Sequence, residues 1–168
     1  GAFGIFPIRD DAATWPELLT REHCATALIG KLHVAPPERF RFERTQVNTQ
    51  ADFGDERDPR TYATHLDNFL GAVGERRFCA VVSCIDPHRP FDGGAKAESA
   101  IAPADVWVPP FLIDTPELRA HLAKYAVAVQ RLDQCVAGLL EVLAARGHAE
   151  DTLVVFTSDN GTPFLFAK

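Results

Sequence analysis

Residues 77–85, RFCAVVSCI, form an almost uninterrupted apolar run of strand length, and the following residues, DPHRPFDGG, end it. A second run, CATALIG at residues 24–30, has the same character and is broken by the prolines of KLHVAPPERF. Both runs are apolar on both faces, which is typical of parallel strands that are covered by helices. These two runs therefore predict a sheet that is buried on both sides.

Three segments with helical signals alternate with the apolar runs. Thr14 is a candidate N-cap of the first helix, Asp58-Pro59 opens the second, and Thr115-Pro116-Glu117 starts the third. The predicted helices span residues 14–23, 58–74 and 115–147. The apolar face of the second comprises Tyr62, Leu66, Phe69, Leu70 and Val73. The apolar stripe of the third comprises Leu118, Leu122, Tyr125, Val129, Leu132, Val136, Leu139 and Leu143.

Residues 152–157, TLVVFT, predict a third buried strand, whereas residues 36–57 predict a loop and residues 92–114 predict no regular element. The resulting order is helix, strand, helix, strand, helix, strand. It predicts an α/β fold with a mostly parallel sheet flanked by helices, because parallel strands need crossover connections. The 168 residues are enough for one domain with a hydrophobic core.

The net charge and the lengths of the apolar runs argue against two classes of partner. The net charge of −6 argues against a nucleic acid as partner, and no apolar run approaches the roughly 20 residues that cross a membrane. The four cysteines lack the spacing of a metal site, so we expect small buried residues rather than ligands. They are Cys24, Cys79, Cys84 and Cys135.

Charged or metal-competent residues follow each predicted strand. Lys31 and His33 follow the first, His88 follows the second, and Asp159 and Asn160 follow the third. Ligands of open parallel sheets bind at the carboxyl ends of the strands. The sequence therefore predicts that these side chains meet around one anion-binding pocket at one edge of the sheet.

Each group has a plain alternative. Asp159 and Asn160 offer hard oxygen ligands that suit Ca²⁺ or Mg²⁺, but the tripeptide Asp-Asn-Gly is also a common turn. Lys31 and His33 fall on one face of an extended chain and could bind an anion and move a proton, or could be a solvated lysine and a capping histidine. His88 could be an ordinary loop histidine.

Three segments resemble motifs of the type I sulfatase family. ALIGKLHV is similar to its G-K-x-H element, CIDPHRPF to its P-H-x-P loop, and LVVFTSDNG to the strand that ends in its metal-binding Asp-Asn pair. The order and spacing of the motifs match over nearly the whole chain. Residues 106–164 resemble in particular the sulfamidase branch, whose members act on N-sulfoglucosamine.

The resemblance implies an alkaline-phosphatase-like α/β fold, a bound Ca²⁺ (Mg²⁺ or Mn²⁺ being less expected) and a formylglycine nucleophile. It implies that Asp159 and Asn160 ligate the metal. It assigns Lys31 to the sulfate and the nucleophile region, and His33 to the formylglycine hydrate and the release of sulfate. His88 would contact the sulfate and protonate the leaving atom. A second sulfate-binding cation would be Lys168, where the sulfamidase branch has arginine.

The sequence departs from the family in one respect that bears on activity. The C/S-x-P-S-R motif that yields formylglycine is absent, and so are the paired aspartates near the family's N-terminus. We therefore expect residues 1–168 to be the central part of a sulfatase catalytic domain, without its nucleophile segment and its C-terminal part. On this interpretation the fold is incomplete and the chain alone does not hydrolyse sulfate.

Four interpretations remain open at this point. The first is part of a sulfatase that removes sulfate from a sulfated sugar such as N-sulfoglucosamine, or from a small sulfate ester. The second is a phosphodiesterase or phosphonate monoester hydrolase of the same superfamily, and the third is a non-catalytic sulfatase-like protein that binds a glycan or a protein. The fourth is an α/β domain whose strand-end residues are coincidental. Family members are periplasmic, secreted or lysosomal, and the sequence does not choose among these compartments.

Overall fold

The computed structural model describes residues 7–46, 57–91 and 101–165. Its main elements are α1 (Trp15–Arg21), β1 (Ala25–Gly30), β2 (Arg44–Gln46), α2 (Pro59–Val73), β3 (Phe78–Ser83) and α3 (Pro116–Ala145). Short 3-10 helices lie at Pro37–Arg39 and Pro103–Asp105. Within these described ranges, no helix is long and apolar enough to span a bilayer.

The three strands form one parallel sheet in the order β2-β1-β3. β1 pairs with β3 along its whole length, from Ala25 opposite Phe78 to Gly30 opposite Ser83. Every residue of β1 is buried. The predicted α/β class with a parallel sheet and flanking helices is therefore confirmed.

Each helix begins where the sequence predicted its start, after Thr14, Asp58 and Thr115. The Asp58 carboxylate accepts a hydrogen bond from the backbone N–H of Arg60, and the Thr115 hydroxyl accepts one from that of Leu118. At the first helix, the side chain of Glu17 accepts from the backbone N–H of Thr14 at 3.0 Å. These bonds satisfy donors that have no partner inside the helix.

The core lies between the sheet and two packed helices. All five residues predicted for the apolar face of α2 are buried, and they pack on alternate residues of β1. Leu122 and Leu143 of the stripe predicted for α3 are buried, but Val129 is exposed. Small side chains outside that stripe, those of Ala123, Ala128 and Cys135, are buried as well. Small residues let α3 approach α2 closely, so large apolar residues on the flank of α3 remain outside the contact.

The predicted buried strand at residues 152–157 is wrong. The structure assigns no strand there, and Leu153, Val154, Val155 and Phe156 are 88%, 53%, 75% and 70% exposed. The physical reason is that a strand needs a hydrogen-bonded neighbour, and no strand in the described ranges lies beside this segment.

The third strand of the sheet is instead β2, which lies inside the stretch that was predicted to be loop. Its three residues are polar and exposed. A strand this short and polar carries no hydrophobic alternation, so pattern analysis cannot detect it.

Candidate functional site

The chain leaves β1 in close contact with the end of β3. Gly30 has a φ of 95°, and a Cβ at this position would lie 2.2 Å from the carbonyl oxygen of Ser83. The next backbone N–H, that of Lys31, donates to the same oxygen at 3.1 Å. Glycine is therefore required here, because only a residue without a side chain allows the two backbones to approach and the chain to turn.

Lys31 and His33 follow this turn at the carboxyl edge of the sheet. Lys31 is half-buried and His33 is exposed. Neither side chain makes a hydrogen bond or ion pair with the part of the chain that the structure describes. Among the described residues, neither side chain therefore contributes a hydrogen bond or ion pair to the fold.

The segment after β3 brings His88 to the same edge. The Tyr62 hydroxyl accepts a hydrogen bond from the backbone N–H of Ile85 at 3.1 Å, and the backbone N–H of His88 donates to the Ile85 carbonyl at 2.8 Å. The exposed ring of His88 places Nδ1 2.6 Å from the carbonyl oxygen of Arg89. A carbonyl only accepts, so Nδ1 carries the hydrogen of this contact.

A buried ion cluster lies behind this turn. Arg131 of α3 binds the carboxylate of Asp86 with two hydrogen bonds, from Nε at 2.7 Å and from Nη2 at 3.0 Å. Nη1 of Arg57 binds the same carboxylate. The three residues are only 1% (Arg57), 7% (Asp86) and 5% (Arg131) exposed. The two arginines also reach main-chain carbonyls of the turn, those of His88 and Phe91.

Sequence reasoning missed this cluster. Arg57 stands at the end of a stretch predicted to be loop, and Arg131 was not singled out among the residues of the third predicted helix. A signal for Arg131 was present, because it lies three residues after Ala128 and four before Cys135, on the buried face of α3. A charged residue at a buried helical position needs a buried partner, which here is Asp86.

The segment that carries Asp159 and Asn160 is tied to the same turn by aromatic packing. The ring of Phe164 stacks on that of Phe91, with centroids 6.1 Å apart and an interplanar angle of 27°. The guanidinium of Arg89 lies over both rings, at 5.0 Å from Phe91 and 5.5 Å from Phe164. Asp159 and Asn160 themselves are exposed, four to five residues before Phe164.

The predicted metal ligands do not form a complete site among the described residues. The carboxylate of Asp159 and the amide of Asn160 supply two hard oxygens, whereas Ca²⁺ takes six to eight. Within residues 7–46, 57–91 and 101–165, no three His, Cys, Asp or Glu side chains are grouped to hold a metal ion. The Ca²⁺ assignment therefore stays a prediction, and Lys168 lies outside the described residues.

Two thiols meet beside the turn. Sγ of Cys84, just after β3, lies 3.1 Å from Sγ of Cys135 on α3. The hydrogen bond from Cys135 lowers the pKa of Cys84, and the same interaction raises the pKa of Cys135. Cys24 and Cys135 are buried as predicted, whereas Cys79 and Cys84 are half-buried.

Comparisons with known proteins agree with the motifs at this edge. The sulfatase family model matches residues 6–165. The chain is also 34% identical, over 179 aligned positions, to the N-sulphoglucosamine sulphohydrolase of Homo sapiens. That alignment covers 92% of this chain and 35% of the human protein, so the chain spans about a third of the length of the relative it matches.

Proposed function

Since the chain belongs to the sulfatase family, we propose that the full-length protein removes sulfate from a sulfated sugar such as N-sulfoglucosamine. The observation that carries the proposal is the placement of Lys31, His33 and His88. They follow β1 and β3, which are adjacent parallel strands, and so they share one edge of the sheet.

Each residue has a role that suits sulfuryl transfer. The transition state spreads negative charge over the sulfate oxygens, so the ammonium group of Lys31 stabilises it. A poor leaving group must receive a proton, and Nε2 of His88 supplies it while Nδ1 remains bonded to the Arg89 carbonyl. His33 lies two residues beyond Lys31 and assists release of sulfate from the enzyme.

Two further parts of the proposal rest on the resemblance alone. They are a formylglycine nucleophile outside these 168 residues and a Ca²⁺ ion held partly by Asp159 and Asn160. Because the nucleophile motif is absent from the sequence, we expect residues 1–168 alone to release no sulfate.

The test is an assay of sulfate release by the full-length protein. The substrates are N-sulfoglucosamine, p-nitrophenyl sulfate and the matching phosphate monoester and diester. We expect sulfate release, and we expect His88→Asn to lower kcat on the sugar by about 10²–10⁴-fold. Release of p-nitrophenol from the phosphate esters without release of sulfate would instead favour a phosphodiesterase or phosphonate hydrolase, and binding without turnover would favour a non-catalytic protein.

A matched control is available on the opposite edge of the sheet. His23 precedes β1 and is exposed, so it lies far along the strand from His88. Its φ is 57°, a value that asparagine tolerates. His23→Asn should therefore keep wild-type activity. An equal loss in both variants would contradict the role assigned to His88.

A further inference from the structure

We propose that Asp86, Arg57 and Arg131 form a positioning cluster that holds His88 in the orientation needed for proton transfer. This inference rests on the proposed function, because it assigns a role in the same reaction. The three residues touch the turn that carries His88 and are not themselves catalytic. Asp86 stands near His88 in the quoted stretch CIDPHRPF, but no role was assigned to it there, and neither arginine was a candidate in the sequence.

The cluster fixes the turn at three separate points. The first is the side chain of Asp86, which both arginines bind. The second is the carbonyl of His88 itself, which accepts from Nη2 of Arg57 at 3.1 Å. The third is the carbonyl of Phe91, which accepts from Nη2 of Arg131 at 3.0 Å. The backbone on both sides of the imidazole is therefore held by groups outside the turn.

Holding the backbone also orients the ring. Nδ1 of His88 is bonded to the Arg89 carbonyl, which lies one residue further along the same turn. The direction of Nε2 thus depends on the local backbone geometry, and that geometry depends on the cluster. A shift of the turn would move the proton away from the leaving atom even if His88 stayed intact.

Burial distinguishes this cluster from the arginine pairs at the surface. The pairs Arg146–Asp67 and Arg76–Glu43 have side chains that are 39–46% exposed, whereas the side chains of the Arg131–Asp86 pair are 6% and 5% exposed. Buried ion pairs add little to the stability of a fold, because apolar residues of similar volume often stabilise a core as well or better. Their value lies in fixing geometry, and here the geometry fixed is that of a turn at the sheet edge.

The test compares two substrates that differ in their need for a proton. The sulfated sugar has a poor leaving group, whereas p-nitrophenolate leaves without protonation. In the full-length protein, we expect Arg131→Lys to lower kcat on N-sulfoglucosamine by about 10–100-fold, with KM within about threefold and kcat on p-nitrophenyl sulfate within about threefold. Lysine keeps the charge but cannot bind Asp86 and the Phe91 carbonyl as the planar fork of arginine does.

The control variant is Arg146→Lys. Arg146 follows the same helix and binds Asp67 with the same two-bond geometry, through Nε at 2.7 Å and Nη2 at 2.9 Å, but it lies away from the turn. We expect it to keep wild-type kcat on both substrates. Should Arg131→Lys fail to fold, Arg57→Lys probes the bond to the His88 carbonyl and should show the same selective loss.

The outcomes separate the two proposals. If the wild-type protein releases no sulfate, the proposed function is wrong. If the wild-type protein releases sulfate but His88→Asn loses activity on both substrates equally, the proton-donor role of His88 is wrong, and the positioning inference is wrong with it. If His88→Asn shows the selective loss and the arginine variants do not, the positioning role is wrong while the function stands. Amide hydrogen exchange gives a second readout. The amides of His88, Arg89 and Phe91 should exchange faster in Arg131→Lys than in Arg146→Lys, and equal exchange rates would overturn the inference.

Discussion

Replacing Gly30 by alanine should loosen the junction between β1 and β3 more than any other glycine-to-alanine change at a described position. The new Cβ would lie 2.2 Å from the Ser83 carbonyl oxygen and 3.2 Å from a ring carbon of Tyr62. The φ of 95° adds backbone strain, because residues other than glycine rarely adopt a φ of this value.

The magnitude follows from three contributions. A left-handed backbone conformation costs alanine about 1–2 kcal/mol. Relief of the contact requires a backbone displacement of about 1 Å, and overpacking of this kind costs about 1–3 kcal/mol. The same displacement weakens the hydrogen bond from Lys31 N–H to Ser83, for which about 1 kcal/mol is typical. Because the last two contributions arise from one displacement and are not independent, we expect a total loss of about 3–5 kcal/mol in the free energy of unfolding, less than the full sum of about 3–6 kcal/mol.

Urea unfolding followed by tryptophan fluorescence measures this loss, and Trp15, packed edge-on against Phe42 at 5.2 Å, is a suitable reporter. With a slope of about 2 kcal/mol per molar urea, the midpoint should fall by about 1.5–2.5 M. Two control variants divide the effect. Gly74 has a positive φ, but a Cβ added there would meet open space. Gly138 has no positive φ, and a Cβ added there would make only an ordinary van der Waals contact.

Gly74→Ala should therefore cost only the backbone strain, about 1–2 kcal/mol, and Gly138→Ala should be neutral or slightly stabilising. The reasoning is refuted if Gly30→Ala destabilises no more than Gly74→Ala does. In that case the close approach of the two strands at Gly30 would have no energetic weight.

Three further predictions concern other parts of the molecule. Val155→Lys should reduce self-association of the 168-residue chain in sedimentation experiments, because it interrupts an exposed apolar segment; unchanged association would contradict this. Cys135→Ala should move the alkylation pH profile of Cys84 upward and Cys135→Ser should not, since only serine retains a donor; identical profiles would exclude the thiol hydrogen bond. Arginine partners lower the carboxyl pKa of Glu43 and Asp67 below the ordinary values of 4.5 and 3.8. The stability they contribute is present above pH 4.5 and is lost as the pH falls through their folded pKa, so Asp67→Asn should flatten that decline in urea unfolding and an unchanged slope would refute it.

The elements that sequence reasoning predicted are those whose hydrophobic pattern is set by burial. β1 and β3 are continuous apolar runs because the sheet is covered, and the five apolar residues of α2 recur at helical spacing because one face meets β1. The predicted helix starts at Asp58 and Thr115 depend on local hydrogen bonds from the first turn to these side chains. Such signals are contained in a short window of sequence.

The missed features depend on partners that are distant in sequence. Whether residues 152–157 become a strand depends on a neighbouring strand, which their own apolar character does not provide. Arg57 and Arg131 become structurally important only because the fold places Asp86 between them. In the same way, the sequence predicted that Lys31 and His88 lie at one edge of the sheet. It did not predict the hydrogen bonds that orient the His88 ring.

The stack of Phe164 on Phe91 has a consequence for the two oxygen-bearing residues that precede it. Ring faces tolerate sliding, whereas a ladder of backbone hydrogen bonds has a fixed register. The stack and a hydrogen bond from Nη2 of Arg89 to the Pro163 carbonyl hold this segment at the turn, through residues that follow the oxygen-bearing pair. Neither Asp159 nor Asn160 belongs to a strand ladder in the described ranges. If a cation binds there, as we propose, its binding would set their final position.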